Sequence, residues 1–453
     1  MLERKAYAKL LKWKTESNGS SAMLIEGARR VGKSTLATEF GKSEYESCLV
    51  VDFTSAPSDV FDYFEDMRND LDTFFVYLSA LYGVKLIDRN TLIVFDEVQA
   101  YPKARESIKQ LVADGRYDYI ETGSLVSIRE NVQDILIPSE ERAMNLDPLD
   151  FDEFLWAMGE MPLAKAIENS FENKKPLPDA LHRKASRLFR EYMLVGGMPQ
   201  AVAEYVASRD FGRTDTVKRD ILKLYRDDIA KHAGGYRRRV SAVFDGIPGQ
   251  LSKHEKKFSL SSLSKGARMR SYEDAFFWLS DARVTNDCFN STDPNVGLRM
   301  NEERTTVKCY MADTGLLVSH AFSDSRDSTS DGVYRDILLN KLEINEGMIA
   351  ENVVAQALHA SGHRLFFFSK YNKKTKKSME VDFLVTAPYS NAAMKSRVCP
   401  IEVKSTKSYE LKSLDAFKDT FGKKVGTQWV LHPGQMSVQG DRVFLPLYMA
   451  GRL

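Results

Sequence analysis

A chain of 453 residues is too long for one compact core, and its length predicts several domains. With 43% hydrophobic and 28% charged residues it has an ordinary water-soluble composition, and a formal net charge of +1 means that any basic surface has to be local. Four scattered cysteines (Cys48, Cys288, Cys309 and Cys399) form no C-x-x-C pair, which argues against a zinc site or a disulfide framework and for buried thiols in a reducing compartment. No apolar run reaches the length of a membrane span and the first residues lack a signal-peptide core, so the expectation is a cytoplasmic protein with no membrane partner.

In chain order, a leading helix is expected around 10–14, followed by the apolar run Ala22-Met23-Leu24-Ile25. Directly after it stands Gly27-Ala28-Arg29-Arg30-Val31-Gly32-Lys33-Ser34-Thr35, with the spacing G-x-x-x-x-G-K-[ST], leading into a predicted helix. Strand, glycine-rich loop and helix in that order make a phosphate cradle. Backbone N–H groups point inward at a helix N-terminus, where the dipole favours negative charge. Gly27 and Gly32 let the backbone curl, Arg30 lies in the loop, Lys33 reaches the β and γ phosphates, the Ser34 hydroxyl ligates Mg²⁺ and Thr35 is its neighbour in the turn. The ligand expected is ATP with Mg²⁺.

Residues 48–53 read as a second buried strand, and 59–81 as a helical stretch with Val60, Phe61, Phe64, Met67 and Leu71 at helical spacing, an ordinary core face. The run Thr91-Leu92-Ile93-Val94-Phe95 ends in Asp96-Glu97, as expected of a strand covered on both faces with polar residues at its carboxyl end. Asp96 is the candidate for holding Mg²⁺, and Glu97 for polarising the attacking water, a group that hydrolases need and phosphotransferases do not. A further strand, 117–121, stops at Thr122-Gly123-Ser124, where Thr122 and Ser124 are candidates for contact with the γ-phosphate or the water.

The segments 27–35, 92–99 and 122–124, together with Arg142 leading into Leu146-Asp147-Pro148-Leu149-Asp150-Phe151, resemble a family of prokaryotic AAA-type ATPases whose C-terminal half is a domain of unknown function. The resemblance implies that Asp96 and Glu97 are the Walker B pair, that Ser124 lies in the sensor-1 region, and that Arg142 contacts the γ-phosphate of its own nucleotide or a neighbour's. Glu141 stands where the family commonly has glycine. A homo-oligomer is compatible with this reading.

From 151 to about 229 the pattern is helical, and residues 148–230 are expected to form a helical lid. Gly196-Gly197 reads as a turn or close-packing site. Between 231 and 270 ten Lys or Arg face two acids, the strongest local charge in the chain. A helix over 271–279 and strands at 283–286 and 306–311 follow. Helices, a hairpin and clustered cations predict a winged helix-turn-helix over 231–322 with duplex DNA as partner. Asp313 is a candidate helix cap.

After a polar stretch, 333–453 reads as a separate α/β domain. Residues two apart in a strand face the same way, so Glu380 and Asp382 share one face, and Glu402 and Lys404 another. With Glu351 on a preceding helix they predict a carboxylate nest for Mg²⁺ or Mn²⁺, with Lys404 supporting an attacking water. This set resembles the PD-(D/E)-x-K nuclease superfamily. The resemblance implies Asp382 and Glu402, with Glu351 as a third candidate, as metal ligands and Lys404 as the catalytic lysine. The fold expected is α/β throughout: an AAA-type P-loop ATPase core over 1–147, the lid, the winged helix and a restriction-endonuclease-like domain. The function expected is ATP hydrolysis coupled to action on DNA, or alternatively a nucleotide-controlled signalling or defence switch whose nuclease-like domain only binds.

Overall fold

The computed structural model describes residues 2–66, 70–123, 138–253, 255–263, 266–295, 297–322, 346–372, 377–386, 397–406 and 408–453. The chain divides into two compact units: Met1–Asp147 with Asp281–Arg283, and Pro148–Ser280 with Val284–Leu453.

The first unit is built on a parallel five-stranded sheet in the order β2-β3-β4-β1-β5. Its strands are β1 (Ala22–Glu26), β2 (Ser47–Asp52), β3 (Thr91–Asp96), β4 (Asp118–Gly123) and β5 (Glu141–Asn145). Helices α1 (Lys5–Ser17) and α2 (Lys33–Glu44) precede β2. Next come α3 (Ser58–Asp66), α4 (Leu71–Tyr82) and α5 (Lys103–Asp114). The interior strand β3 is buried along its whole length except at Asp96, so both faces are covered and only the carboxyl end is polar. One face packs against α3, α4 and α5 through a cluster that includes Leu24, Phe53, Phe64, Phe74, Phe95 and Tyr119. The opposite face carries α2.

Two details differ from the sequence reading. The stretch 59–81 is two helices, because Asp70 caps a fresh start by accepting the Thr73 N–H at 3.2 Å; Met67 lies outside the described residues. The strand β5 was not expected. It is polar and largely exposed, as an edge strand can be, and carries no apolar alternation to announce it.

The second unit begins with helices α6 (Phe151–Ala157), α7 (Met161–Glu172), α8 (Asp179–Val195), α9 (Pro199–Ser208) and α10 (Phe211–His232). After them come α11 (Arg237–Leu251), α12 (Glu273–Asp281) and α13 (Thr314–Ala321). Its sheet has eight strands in the order β12-β13-β11-β10-β9-β8-β6-β7. The hairpin β6 (Thr285–Ser291) and β7 (Glu302–Met311) forms one edge. The helix α14 (Glu346–Ala360) precedes β8 (Phe366–Asn372), β9 (Lys377–Thr386) and β10 (Val398–Val403). The chain then runs through α15 (Lys412–Phe421), β11 (Gln428–His432), β12 (Ser437–Gln439) and β13 (Arg442–Pro446).

The sequence reading separates 231–322 from 333–453, yet both segments contribute to this one sheet. Strand β6 lies parallel to β8, and Asn290 ties them: its side-chain oxygen accepts the Ser369 N–H at 2.8 Å and its amide donates to the Ser369 carbonyl at 3.3 Å. The expected wing is therefore an integral sheet edge. Its inner run, Val307 to Met311, is buried and packs against α11 and α14, a cover that a free-standing hairpin would lack. Among the described residues no helix is long and apolar enough to cross a membrane.

Candidate functional site

The loop from Gly27 leaves β1 and turns directly into α2. The turn needs Gly32 at φ 97°, a conformation in which a side chain is strained. Lys33 opens α2 with only 5% of its surface exposed. Its ammonium donates to the Gly27 carbonyl at 3.0 Å and the Ala28 carbonyl at 3.1 Å, so the charge is held inside the loop. Arg30 (φ 68°) and Thr35 are exposed on the loop and the first turn.

Asp96 is the hub at the end of β3. Its Oδ1 accepts the Ser34 hydroxyl at 2.7 Å and also the Thr122 hydroxyl, from the end of the neighbouring β4. The Thr122 oxygen in turn accepts the Glu97 N–H at 3.3 Å. Glu97 itself adopts φ 54°, a left-handed conformation uncommon outside glycine, and the Gln99 side chain donates to its carboxylate. On the other side of β3, Asp52 is the register partner of Asp96. Burial pushes the Asp52 carboxyl up, but bonds from the Thr54 hydroxyl and N–H and from the Ser55 hydroxyl hold it below the usual carboxylate range. A hydroxyl and a carboxylate converging beside a buried ammonium fit Mg²⁺, which takes one or two protein oxygens and completes its shell with phosphate and water.

Arg142 lies in β5 as the register partner of Met23, towards the start of β1, and its half-exposed guanidinium stands 3.8 Å from Glu16. Ser124 lies outside the described residues. Thr122 was expected near the γ-phosphate or the water, but not as the partner of Asp96, and Asp52 was not among the residues expected from sequence. Their signal was positional, since both sit at the carboxyl edge of the parallel sheet.

In the second unit the structure brings Glu351, Glu380, Asp382 and Glu402 together, along with something the sequence reading missed. Lys308 of β7, 1% exposed, points its ammonium to within 3.0 Å of Glu351 Oε1, 3.0 Å of Glu380 Oε1 and 3.8 Å of Asp382 Oδ1. Lys256 pairs with the other oxygen of Glu351, and Lys257 stands 3.2 Å from the other oxygen of Glu380. The Tyr310 hydroxyl donates to Glu351, the Val403 N–H to Asp382 Oδ2 at 2.8 Å, and Lys404 to Glu402 at 2.7 Å.

Burial would raise the Glu351 carboxyl, but Lys256 and Lys308 outweigh it and hold it below the usual range. Glu402, by contrast, is pushed up by burial and by the neighbouring Asp382. Burial opposes the Lys308 charge, yet Glu351, Glu380 and Asp382 hold its ammonium firmly protonated. This arrangement does not fit a divalent ion shared by Glu351 and Asp382, because the Lys308 ammonium already stands between them, and Glu402 is paired with Lys404 instead. Among the described residues no group of three or more His, Cys, Asp or Glu is placed to hold a metal.

The parallel sheet, the loop and the Asp96 hub define the first unit as a P-loop nucleotide-binding domain. Residues 19–155 match the family model described as an AAA domain. Residues 186–327 and 346–449 match two domains of unknown function, DUF8612 and DUF4143. No curated protein matches the sequence. Among solved structures, the chain is similar to the Walker-type ATPase of Pyrococcus abyssi, over 71% of this chain and 96% of that one, at 14% identity and TM-score 0.41. It is also similar to the ORC1 protein of Aeropyrum pernix, solved in complex with DNA, over 72% and 93%, at 13% identity and TM-score 0.28. Domain III of the replication initiation protein DnaA of Thermotoga maritima matches over 49% and 95%, at 15% identity and TM-score 0.25. At TM-scores this low, none of these likenesses bears on what the chain does.

Proposed function

We propose that the chain binds ATP with Mg²⁺ in the loop that begins at Gly27, and hydrolyses it. The observation that carries this reading is the 2.7 Å bond between Ser34 Oγ and Asp96 Oδ1, which joins the loop hydroxyl to the carboxylate at the strand end beside a buried lysine. When bound, Mg²⁺ neutralises charge on the phosphate oxygens. The protein's own groups do the rest. Lys33 binds the β and γ phosphates, Thr122 fixes the Asp96 carboxylate, and Glu97 orients the attacking water and takes up its proton. Arg142 sits opposite Met23, away from the carboxyl edge of the sheet where the loop starts. That position favours action on a neighbour's nucleotide in a homo-oligomer. The test is ATP turnover with Mg²⁺: wild type should turn over, and Lys33→Ala should not.

For the second unit the proposed partner is duplex DNA. Arg237, Arg238 and Arg239 are exposed in the first turn of α11, where cations oppose the helix dipole, and an anionic backbone would relieve that conflict. Exposed Lys253, Arg268 and Arg270 extend the charge along the chain. A second reading, the nucleotide-controlled switch whose nuclease-like domain only binds, is favoured by the Lys308 ammonium among the carboxylates. Turnover that duplex DNA stimulates supports action on DNA, whereas slow DNA-independent turnover with retained nucleotide supports the switch.

A further inference from the structure

The carboxylates of the second unit come from three elements: Glu351 from α14, Glu380 and Asp382 from β9, and Glu402 from β10. Four carboxylates this close, with Glu351 at 3% and Glu402 at 7% exposure, repel one another strongly in a poorly solvated interior and require a cation. A divalent metal is one solution, and it demands oxygens free to converge at roughly 2.0–2.6 Å.

This chain uses another solution. Lys308 projects from β7, the sheet edge formed by the hairpin, and reaches three of the four carboxylates. The segment after α11 then runs alongside that edge, where the Phe258 N–H donates to the Val307 carbonyl at 2.8 Å. The same segment carries Lys256 to Glu351 and Lys257 to Glu380. Lys404, just past the end of β10, covers Glu402. Four ammonium groups thus meet four carboxylates, and their formal charges balance without a divalent ion. Among the described residues, Glu402 Oε2 is the one fully buried carboxylate oxygen of this cluster without a hydrogen-bond partner.

We propose that Lys308, with Lys256 and Lys257, is the resident cation of this cluster, and that the site therefore takes no divalent metal and makes no metal-dependent cut in nucleic acid. Lys256 and Lys257 lie on a connecting segment and keep 17% and 23% side-chain exposure, but Lys308 is held in the sheet at 1%. The replacement is built into the fold, so it does not depend on a movable plug. The inference deepens the switch reading of this unit and is independent of turnover at the phosphate loop.

The experiment is a Mn²⁺ titration of the full chain without nucleotide, by calorimetry and by melting temperature, on wild type, Lys308→Met and Asp382→Asn. Wild type should give no saturable binding and no Mn²⁺-dependent rise in melting temperature. Lys308→Met, which restores the surplus negative charge, should gain both. Saturable Mn²⁺ binding by wild type that disappears in Asp382→Asn overturns the proposal. So does a folded Lys308→Met that binds no more metal than wild type. The comparison of wild type with Asp382→Asn needs no change at Lys308, and it decides the matter if Lys308→Met does not fold. ATP turnover, measured alongside, reads the phosphate loop separately: its loss speaks against the ATPase reading and leaves the metal result intact.

Discussion

Ser34 and Asp96 are 62 residues apart in sequence, and their side chains meet at 2.7 Å. Neither residue has any local reason to hold that position. Ser34 is brought there because the loop enters α2 through the left-handed Gly32, and Asp96 because β3 runs parallel to β4 and ends at the same edge. The pair is thus a product of the sheet, and Thr122 from β4 locks it by sharing Asp96 Oδ1.

Removing the loop cation gives the first expectation. Lys33→Ala deletes the only lysine in the loop, a donor buried at 5% exposure. Charge-assisted bonds of this kind contribute roughly 1.5–3 kcal/mol, so ATP affinity should fall about ten- to hundredfold. Ser34→Ala should weaken Mg²⁺-ATP more than metal-free ATP, because it takes away a metal ligand and the Asp96 partner together. Equilibrium binding of a fluorescent ATP analogue, with and without Mg²⁺, checks both variants.

Glu97→Gln separates binding from chemistry. The amide keeps the shape and the capacity to bond Gln99 but cannot accept a proton. Nucleotide affinity should stay near wild type while turnover falls by roughly 10²–10⁴, the usual contribution of a positioned general base. Equal turnover in the two proteins would remove Glu97 from the mechanism.

The first unit was legible where chemistry fixes spacing. The loop 27–35 and the apolar run that ends in Asp96 each declare their structure. Strand β5 was not legible, because a polar edge strand such as Glu141–Asn145 has neither apolar alternation nor turn signals. The hairpin β6–β7 was read as strands, but its membership of the C-terminal sheet depends on Asn290 meeting Ser369, 79 residues away. The carboxylates of the second unit were visible from the two-residue period of β9 and β10. Their counter-charge was not, since Lys308 comes from a strand assigned to another domain. The available signal was a lysine inside the apolar run Val307-Lys308-Cys309-Tyr310-Met311, a residue that cannot be buried there without anionic partners.

Asp313 was read as a helix cap and proves to hold two segments. Its carboxylate accepts the Leu316 N–H at 2.8 Å, capping α13, and the Gly197 N–H at 2.5 Å, after the end of α8. Gly197 has to be glycine, because a Cβ there would sit 2.1 Å from the Leu149 carbonyl oxygen. Asp313→Ala leaves two buried N–H groups unpaired and should cost about 2–5 kcal/mol. Urea unfolding with an unchanged m-value is the measurement, and a loss within error of zero would mean that water replaces both bonds.

Lys218 supplies a pH dependence whose sign follows from its burial. It is 1% exposed on α10 and donates to the Leu194 carbonyl at 2.6 Å, near the end of α8. Burial depresses its ammonium from 10.5 to about 8, although Asp215 and Asp313 resist that shift. Below pH 8 the group is charged in both states. Between about 8 and 10.5 the unfolded chain holds the proton and the native state does not, so native stability rises with pH across that window. The gain approaches about 3 kcal/mol, taking 1.36 kcal/mol per unit. Lys218→Met has no such proton to release. The stability of wild type relative to Lys218→Met should therefore climb from pH 8 to pH 10.5 and stay flat below pH 7, as read from urea midpoints on the two proteins in the same buffers. A difference that is level across the whole range would mean that Lys218 keeps its ordinary affinity for the proton in the folded state.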